Sequence, residues 1–426
     1  MKKYNILVFP CGSEIALDIY SSVKYSTYFN LIGGSSVDDH GKFVYEDYIS
    51  NIPYIKDKDF IPVLQLLVKE RHIDAIYPAM DLAITILKEN ENKLGCKIIA
   101  PPVETTRISL SKEMTYRYLE DVICTPEIYD SQFVPDDKFP VFAKPKIGYG
   151  SRGTKKLFNQ EEVNLFVKDK DDLLILEYLS GEEYTVDCFT NKNGVLLYCA
   201  ARKRNRIKDG ISVNTTFVEN QEEFEDIAIK INSKVKFRGA WFYQVKRNKE
   251  GKLCLLEIAA RLGGSSLLSR AIGVNFALLS LFDAFDYDVC IFKNDYYVEL
   301  DRALGNKYRT NLEFDSVYCD YDDCLILDKT KVNTLLVQFL YKCFNERKEI
   351  YLLSKHEYTD LMEELKYFRL DSIFDKIIHI DKNADKCEYI TSVKPIFIDD
   401  SNAERLNVKC RLGIPVFSPE MIDVLI

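Results

Sequence analysis

At 426 residues the chain exceeds one ordinary core, so two or three domains are expected. Its composition, 47% hydrophobic and 29% charged, is that of a globular protein and excludes a disordered one. A formal charge of -9 argues against non-specific nucleic-acid binding, which needs a surplus of lysine and arginine, and no run approaches the roughly 20 apolar residues of a membrane span.

The N-terminal "MKKYNILVFPCGSEIALD" has a basic start, but Pro10 and Glu14 break its short apolar run. It reads as a first strand entering a turn, not as a signal peptide. Onward, "EIALDIYSSVKY" and "FIPVLQLLVKERHI" have helical spacing, "DAIYPAM" is a strand, "LAITILKENENKL" a helix and "KIIAPP" a strand closed by prolines. This alternation predicts a parallel sheet covered on both faces. No GxGxxG follows the first strand, so an ordinary dinucleotide site is not expected. The twelve cysteines form no CxxC pair and only four histidines are present, which predicts buried reduced thiols in a cytoplasmic protein rather than a metal site.

From Ser111 the pattern changes. "SKEMTYRYLEDV" is a helix with Ser111 as its N-cap. Strands then predominate, with turns at 148–153, 191–194 and 248–251. Periodicity lapses in "NKYRTNLEFDS" (306–316), where a boundary is placed. Strands and helices alternate again to the end: "SVYCDYD", "IYLLS", "KIIHI", "PIFIDD" and "IPVF" are strands, and "KVNTLLVQFLYKCFNE" is a long helix.

"FPVFAKPKIGYGSRGTKKL" puts Lys144 at a strand end and follows it with Gly148, Gly150, Ser151 and Gly153. Glycines let backbone N–H groups approach phosphate oxygens, and a lysine supplies a point charge; a plain hairpin turn would carry the same glycines. Further on, "GAWFYQVKRNKEGKLCLLEIAARLGG" pairs Gln244 with Glu257 across a hairpin, with Arg261 just beyond. Two oxygen ligands on adjacent strands suit Mg²⁺ and phosphate; either side chain alone would also suit a solvated strand face.

Taken in order, Lys112 after Ser111, Lys144 before the glycine loop, "EYLSGEE" and "Q…LLEIAARLGG" resemble the ATP-grasp superfamily over residues 1 to 305. The resemblance implies that Lys112 and Lys144 contact ATP phosphates, with the loop containing Gly150, Ser151 and Gly153 closing over them. It implies that Glu177 opens the hinge holding adenine through the backbone of Tyr178 and Leu179, and that Glu183 binds ribose. Gln244 and Glu257 match the metal-bridging positions, and Arg261 the arginine steadying the reacting carboxylate. Arg202 and Arg204 are expected near the γ-phosphate or an anionic substrate. One departure stands out: where the family usually has Asn two residues after the metal-binding Glu, this chain has Ala259.

The opening of the last segment, "VYCDYDDCLIL", places Asp320 and Asp322 two positions apart at the end of a strand, where period-two alternation predicts that they share a face. Followed by "IYLLSKH", "ADKCEYI" and "KPIFIDDSNAE", it resembles the haloacid dehalogenase (HAD) superfamily. Asp320 matches the nucleophile, Asp322 the acid and base, Ser354 the phosphate-binding hydroxyl and Lys386 the stabilising lysine, with Lys382 and Lys394 nearby. Asp399 and Asp400 match the Mg²⁺ acids, joined by Asp320 and Asp322. The short intervals between these residues leave no room for a large cap.

The expected architecture is therefore α/β and α+β: a parallel-sheet domain (1–110), an ATP-grasp domain (111–310) and a capless, Rossmann-like HAD domain (315–426). The implied function is a carboxylate–amine ligase acting through an acyl phosphate, fused to an Mg-dependent phosphatase with an aspartyl-phosphate intermediate. Implied cofactors are ATP and Mg²⁺, with Mn²⁺ admissible. Implied partners are a small carboxylic acid, an amine or ammonia and a phosphorylated small molecule, with no nucleic acid or membrane; a homo-oligomer is compatible. The rival expectation, favoured by Ala259, is an ATP-binding sensor or scaffold without ligase chemistry.

Overall fold

A computed structural model describes residues 3–148, 150, 152–168, 170, 172–208, 210–291, 293–303, 310–357 and 359–426. The chain forms two compact units, Met1–Leu304 and Gly305–Ile426. The break lies just before the 306–316 lapse, whose residues 306–309 are outside the described ones.

The first unit opens with β1 (Tyr4–Phe9), α1 (Glu14–Val23), β2 (Phe29–Gly34), β3 (Asp47–Ile49), α2 (Phe60–Glu70), β4 (Ala75–Pro78), α3 (Asp81–Glu89), α4 (Glu91–Leu94) and β5 (Lys97–Ile98). These strands form a parallel sheet in the order β3-β2-β1-β4-β5. Both faces are covered: Leu7, Phe9 and Ile76 pack with α2 and α3, and Ile6 and Val8 pack with α1. The single helix expected over "LAITILKENENKL" divides at Asn90, whose side chain donates to Ile86 O at 2.9 Å. Asparagine competes for backbone partners in this way and interrupts helices.

Next come α5 (Val103–Leu110) and α6 (Lys112–Leu119), the latter capped by Ser111 Oγ accepting from Met114 N–H. They lead to β6 (Ile128–Tyr129), β7 (Val141–Pro145), β8 (Lys155–Leu157), α7 (Gln160–Val167) and β9 (Leu173–Glu177), an antiparallel sheet ordered β6-β9-β7-β8. A six-stranded antiparallel sheet follows, β14-β13-β10-β11-β12-β15. Its elements are β10 (Glu183–Thr190), β11 (Leu196–Lys208), β12 (Ile211–Phe217), α8 (Glu222–Lys234), β13 (Gly239–Arg247), β14 (Leu253–Ala259), α9 (Leu267–Ala271), α10 (Phe276–Ala284) and β15 (Glu299–Asp301). One core joins the two halves of this unit, since Phe189, Tyr198, Phe276 and Leu281 pack with Ile6, Val8 and Ile19.

The thiols depart from expectation at one pair. Cys124 is bonded to Cys254, across 130 residues. The segment before β6 runs beside β14, where Leu255 N–H donates to Cys124 O at 2.8 Å, a long-range neighbourhood that cysteine spacing does not reveal. The other ten cysteines are free.

The second unit contains β16 (Ser316–Cys319), β17 (Ile326–Leu327), β18 (Lys331–Val332), α11 (Thr334–Asn345), β19 (Glu349–Ser354), α12 (Leu361–Tyr367), β20 (Lys376–His379), β21 (Pro395–Ile398), α13 (Asn402–Leu412) and β22 (Val416–Phe417). Its main sheet is parallel, β20-β19-β16-β21-β22. Between β16 and β19 stand only the β17–β18 hairpin and α11. Among the described residues no helix is long and apolar enough to cross a membrane.

Candidate functional sites

In the first unit a cleft lies between the four-stranded sheet and the six-stranded one. Lys144, near the end of β7, points into it and is nearly buried. Its Nζ donates to Leu256 O at 3.1 Å and stands 5.2 Å from the Tyr116 ring centroid. Burial pulls its pKa from 10.5 to about 7, with Glu257 opposing. Lys112, the first residue of α6, donates to Gly148 O at 2.8 Å and lies 4.0 Å from Glu257 Oε2. The loop turns through positive φ at Gly150 (62°) and Gly153 (70°), a conformation that favours glycine. Ser151 lies outside the described residues.

Across the cleft, Gln244 and Glu257 are direct partners in the β13–β14 ladder, and both line the cavity. Glu183 opens β10 and pairs with Arg204 Nη1 at 2.7 Å and Lys246 Nζ at 3.8 Å. Lys246 was not anticipated, although period two puts it on the face of Gln244. Glu177 ends β9, where its N–H donates to Glu127 O at 2.9 Å; Tyr178 and Leu179 follow on the wall. With Phe142, Leu176 and Leu256 they make an apolar slot next to the charged floor.

Two arginines depart from expectation. Arg202 is buried, its Nε 2.7 Å from Asp187 Oδ2, and it does not line the cleft. The segment after β14 closes over it: a Cβ on Gly263 would come within 3.0 Å of its Nη2. Arg261 presents no free arm. Nε and Nη2 clasp Asp81 at 2.8 and 2.9 Å and Nη1 donates to Leu262 O. Ala259 is buried opposite Phe242 in the ladder.

In the second unit, Cys319 and Ile398 are register partners, so the chain leaves β16 and β21 with Asp320 and Asp399 side by side. Oxygens of Asp320, Asp399 and Asp400 lie within 4.8 Å of one another. Of the three lysines considered, Lys386 reaches them, at 2.9 Å from Asp320 and 2.7 Å from Asp399. Lys382 instead pairs with Glu357 and Lys394 with Glu313. Burial raises the pKa of Asp320, and that of Asp399 to about 6, with Lys386 opposing in both. Burial works against the charge of Lys386, but the two carboxylates outweigh it and raise its pKa.

The Asp322 side chain is not part of that acid group. The strand ends at Cys319, so alternation lapses, and both Asp322 oxygens lie 3.0 Å from His356 Nδ1. Ser354, at the end of β19, is fully buried and its Oγ accepts from His356 N–H at 3.2 Å. His356 itself went unremarked, though it stands two residues after Ser354 in "SKH".

A parallel α/β sheet followed by two antiparallel sheets clasping a lysine- and acid-lined cleft is the ATP-grasp fold, and comparisons with known proteins agree. A family model described as "ATP-grasp in the biosynthetic pathway with Ter operon" matches residues 169–299. Biotin carboxylase from Campylobacter jejuni superimposes with a TM-score of 0.58 at 15% identity, covering 68% of this chain and 72% of that one. N5-carboxyaminoimidazole synthetase from Staphylococcus aureus gives 0.55 at 13%, covering 68% and 79%. The L-amino acid ligase from Bacillus licheniformis gives 0.54 at 15%, covering 66% and 74%. In sequence, the carbamoyl phosphate synthase large chain of Thermoplasma acidophilum is 26% identical over 342 residues, 72% of this chain. That match spans only 31% of the relative's length.

Proposed function

We propose that the first unit is an ATP-dependent carboxylate–amine ligase and the second an Mg²⁺-dependent phosphatase of the HAD type. The observation that carries the ligase reading is Lys144. An amine this deeply buried, with a carbonyl and an aromatic ring as its near partners and its pKa pulled down to about 7, is poised to take its charge when an anion arrives. Lys112 stands beside it, and the apolar slot suits a purine ring. The solved relatives include a biotin carboxylase–β,γ-ATP complex and a carboxyaminoimidazole ribonucleotide synthase complexed with ATP.

The residues present fit Mg²⁺: Glu257 and Gln244 offer hard oxygens on facing strands, and in the second unit three clustered carboxylates do so. Bound there, Mg²⁺ would offset charge developing on a transferring phosphoryl group. In the ligase, Lys144 and Lys112 orient the phosphates of ATP. A substrate carboxylate oxygen attacks the γ-phosphorus and ADP leaves; the amine nitrogen then attacks the acyl carbon, phosphate leaves and the amine proton passes to solvent. Arg261, fixed by Asp81, holds the segment between Glu257 and the two glycines in place.

In the phosphatase, Asp320 attacks phosphorus while Asp322, oriented by His356, protonates the leaving oxygen. Asp322 then deprotonates the water that hydrolyses the aspartyl phosphate. Lys386 neutralises the nucleophile and its adduct.

The test is ADP release by the purified chain against panels of acids and amines. Release that requires both an acid and an amine supports the ligase. Nucleotide binding without release in any combination favours the sensor reading instead.

A further inference from the structure

In the second unit the loop after β16 carries Asp320 and Asp322, and the segment after β19 carries His356. One side chain outside both is bonded to each of them. Glu364, half-buried on α12, accepts from the Tyr321 hydroxyl at 2.7 Å on Oε2 and from the Thr359 hydroxyl on Oε1. Tyr321 lies between the two aspartates. Burial works against the charge of Glu364, but the hydrogen bonds from Thr359 and Tyr321 outweigh it and lower its pKa. A carboxylate has no proton to give, so both hydroxyls donate to it.

The consequence reaches His356. Its ring is buried and stands edge-on to the Tyr321 ring, with centroids 5.1 Å apart. Its backbone is tied on both sides, the N–H donating to Ser354 Oγ at 3.2 Å and the carbonyl accepting from His379 Nε2 at 2.7 Å. Thr359 lies against the far edge of the ring. Its hydroxyl, 3.0 Å from Nε2, gives its single proton to Glu364, and its backbone N–H donates to Nε2 at 3.3 Å. A backbone N–H can only donate, so Nε2 carries no proton and the neutral ring is protonated at Nδ1. That N–H faces the two Asp322 oxygens, each 3.0 Å away.

We infer that Glu364 is a positioning residue of the phosphatase: by bracing Tyr321 and Thr359 it holds His356 in the orientation and tautomer that aim Asp322 at the leaving oxygen. This rests on the phosphatase reading. In the first step an Asp320 oxygen bonds to phosphorus, the ester P–O bond breaks, and the Asp322 proton passes to the departing oxygen. An alkoxide cannot depart without that proton, whereas a nitrophenolate can. A misaimed Asp322 therefore costs rate on one kind of ester and spares the other.

The full chain with Mg²⁺ is tested on glycerol phosphate and nitrophenyl phosphate, reading kcat/KM, which reports phosphoryl transfer. Glu364→Ala, on a helix that alanine suits, should lower the value for the glycerol ester by about tenfold or more and that for the nitrophenyl ester by less than about threefold. Asp322→Asn should show the same preference more strongly. Adding Glu364→Ala to it should cost little more, because the residues act as one unit. Glu364→Gln should restore most of the loss, since its amide accepts from one hydroxyl and donates to the other. NMR of the ring nitrogens at pH 8 reads the tautomer without substrate, with His356→Asn identifying the signal among the four histidines. The proton is expected on Nδ1 in the parent and in Glu364→Gln, and in a mixture of tautomers in Glu364→Ala. Glu364 has no such role if its alanine variant slows both esters equally or neither, if Nε2 is protonated in the parent, or if the tautomer is unchanged in Glu364→Ala. Turnover of neither ester by the parent sinks the phosphatase and the role with it; turnover with the wrong pattern sinks the role alone.

Discussion

Lys144 titrates near pH 7 in the folded chain and near its ordinary 10.5 when unfolded. Between those values the unfolded state binds the extra proton, so stability rises with pH across that window. Lys144→Met should flatten that rise, as measured by chemical denaturation at pH 7 and pH 9. Phosphate favours the charged lysine, so Mg-ADP binding at pH 8 should draw up to about one proton from solution. Calorimetry in two buffers of different ionisation heat measures this, and Lys144→Met should lose both the uptake and most of the nucleotide-induced thermal shift. Retention of both would remove Lys144 from the phosphate site. Lys144, Gln244 and Glu257 were legible in the sequence because each sits at a strand end or a strand pairing that local pattern locates; Lys386, which opens a 3-10 turn, was placed only by the order of the HAD-like segments. The surroundings of Arg202, Arg261 and Asp322 were not. Their partners Asp187, Asp81 and His356 are 15, 180 and 34 residues away, and no periodicity announces such pairs.

Among elements, the strands richest in apolar residues were readable: β1, β4, β16, β19 and β21 coincide with the runs that suggested them. β2 was not, because "FNLIGG" mixes Asn and two glycines into six residues, a composition poor in strand propensity. It is a strand because β1 and β3 hold it on both sides. The Cys124–Cys254 bond joins the approach to β6 to the strand that carries Glu257. Of the twelve cysteines, two should stay unreactive toward thiol reagents in denaturant until a reductant is added. Cys124→Ser should lower stability by about 2–4 kcal/mol. Titration of all twelve thiols without reductant would show that the pair is not bonded.

On the scale of the whole molecule, the two proposed activities belong to separate units with separate cores. Asp320→Asn keeps the size of the side chain and removes the nucleophile, so turnover of an aryl phosphate should fall by several orders of magnitude. The Mg-ADP thermal shift and ADP release should stay as in the parent protein. Loss of ATP turnover in that variant would make the C-terminal unit a working part of the ligase cycle. The late edge strand β15 has a further consequence, one of timing. It pairs with β12, so the six-stranded sheet is complete only when residue 301 has been made, and residues 305–426 are then still to come. At roughly 5–20 residues per second their synthesis takes on the order of 6–25 s. The first unit therefore has time to fold on the ribosome before its neighbour exists, and the nascent chain should gain nucleotide-dependent protease resistance once β15 has left the exit tunnel.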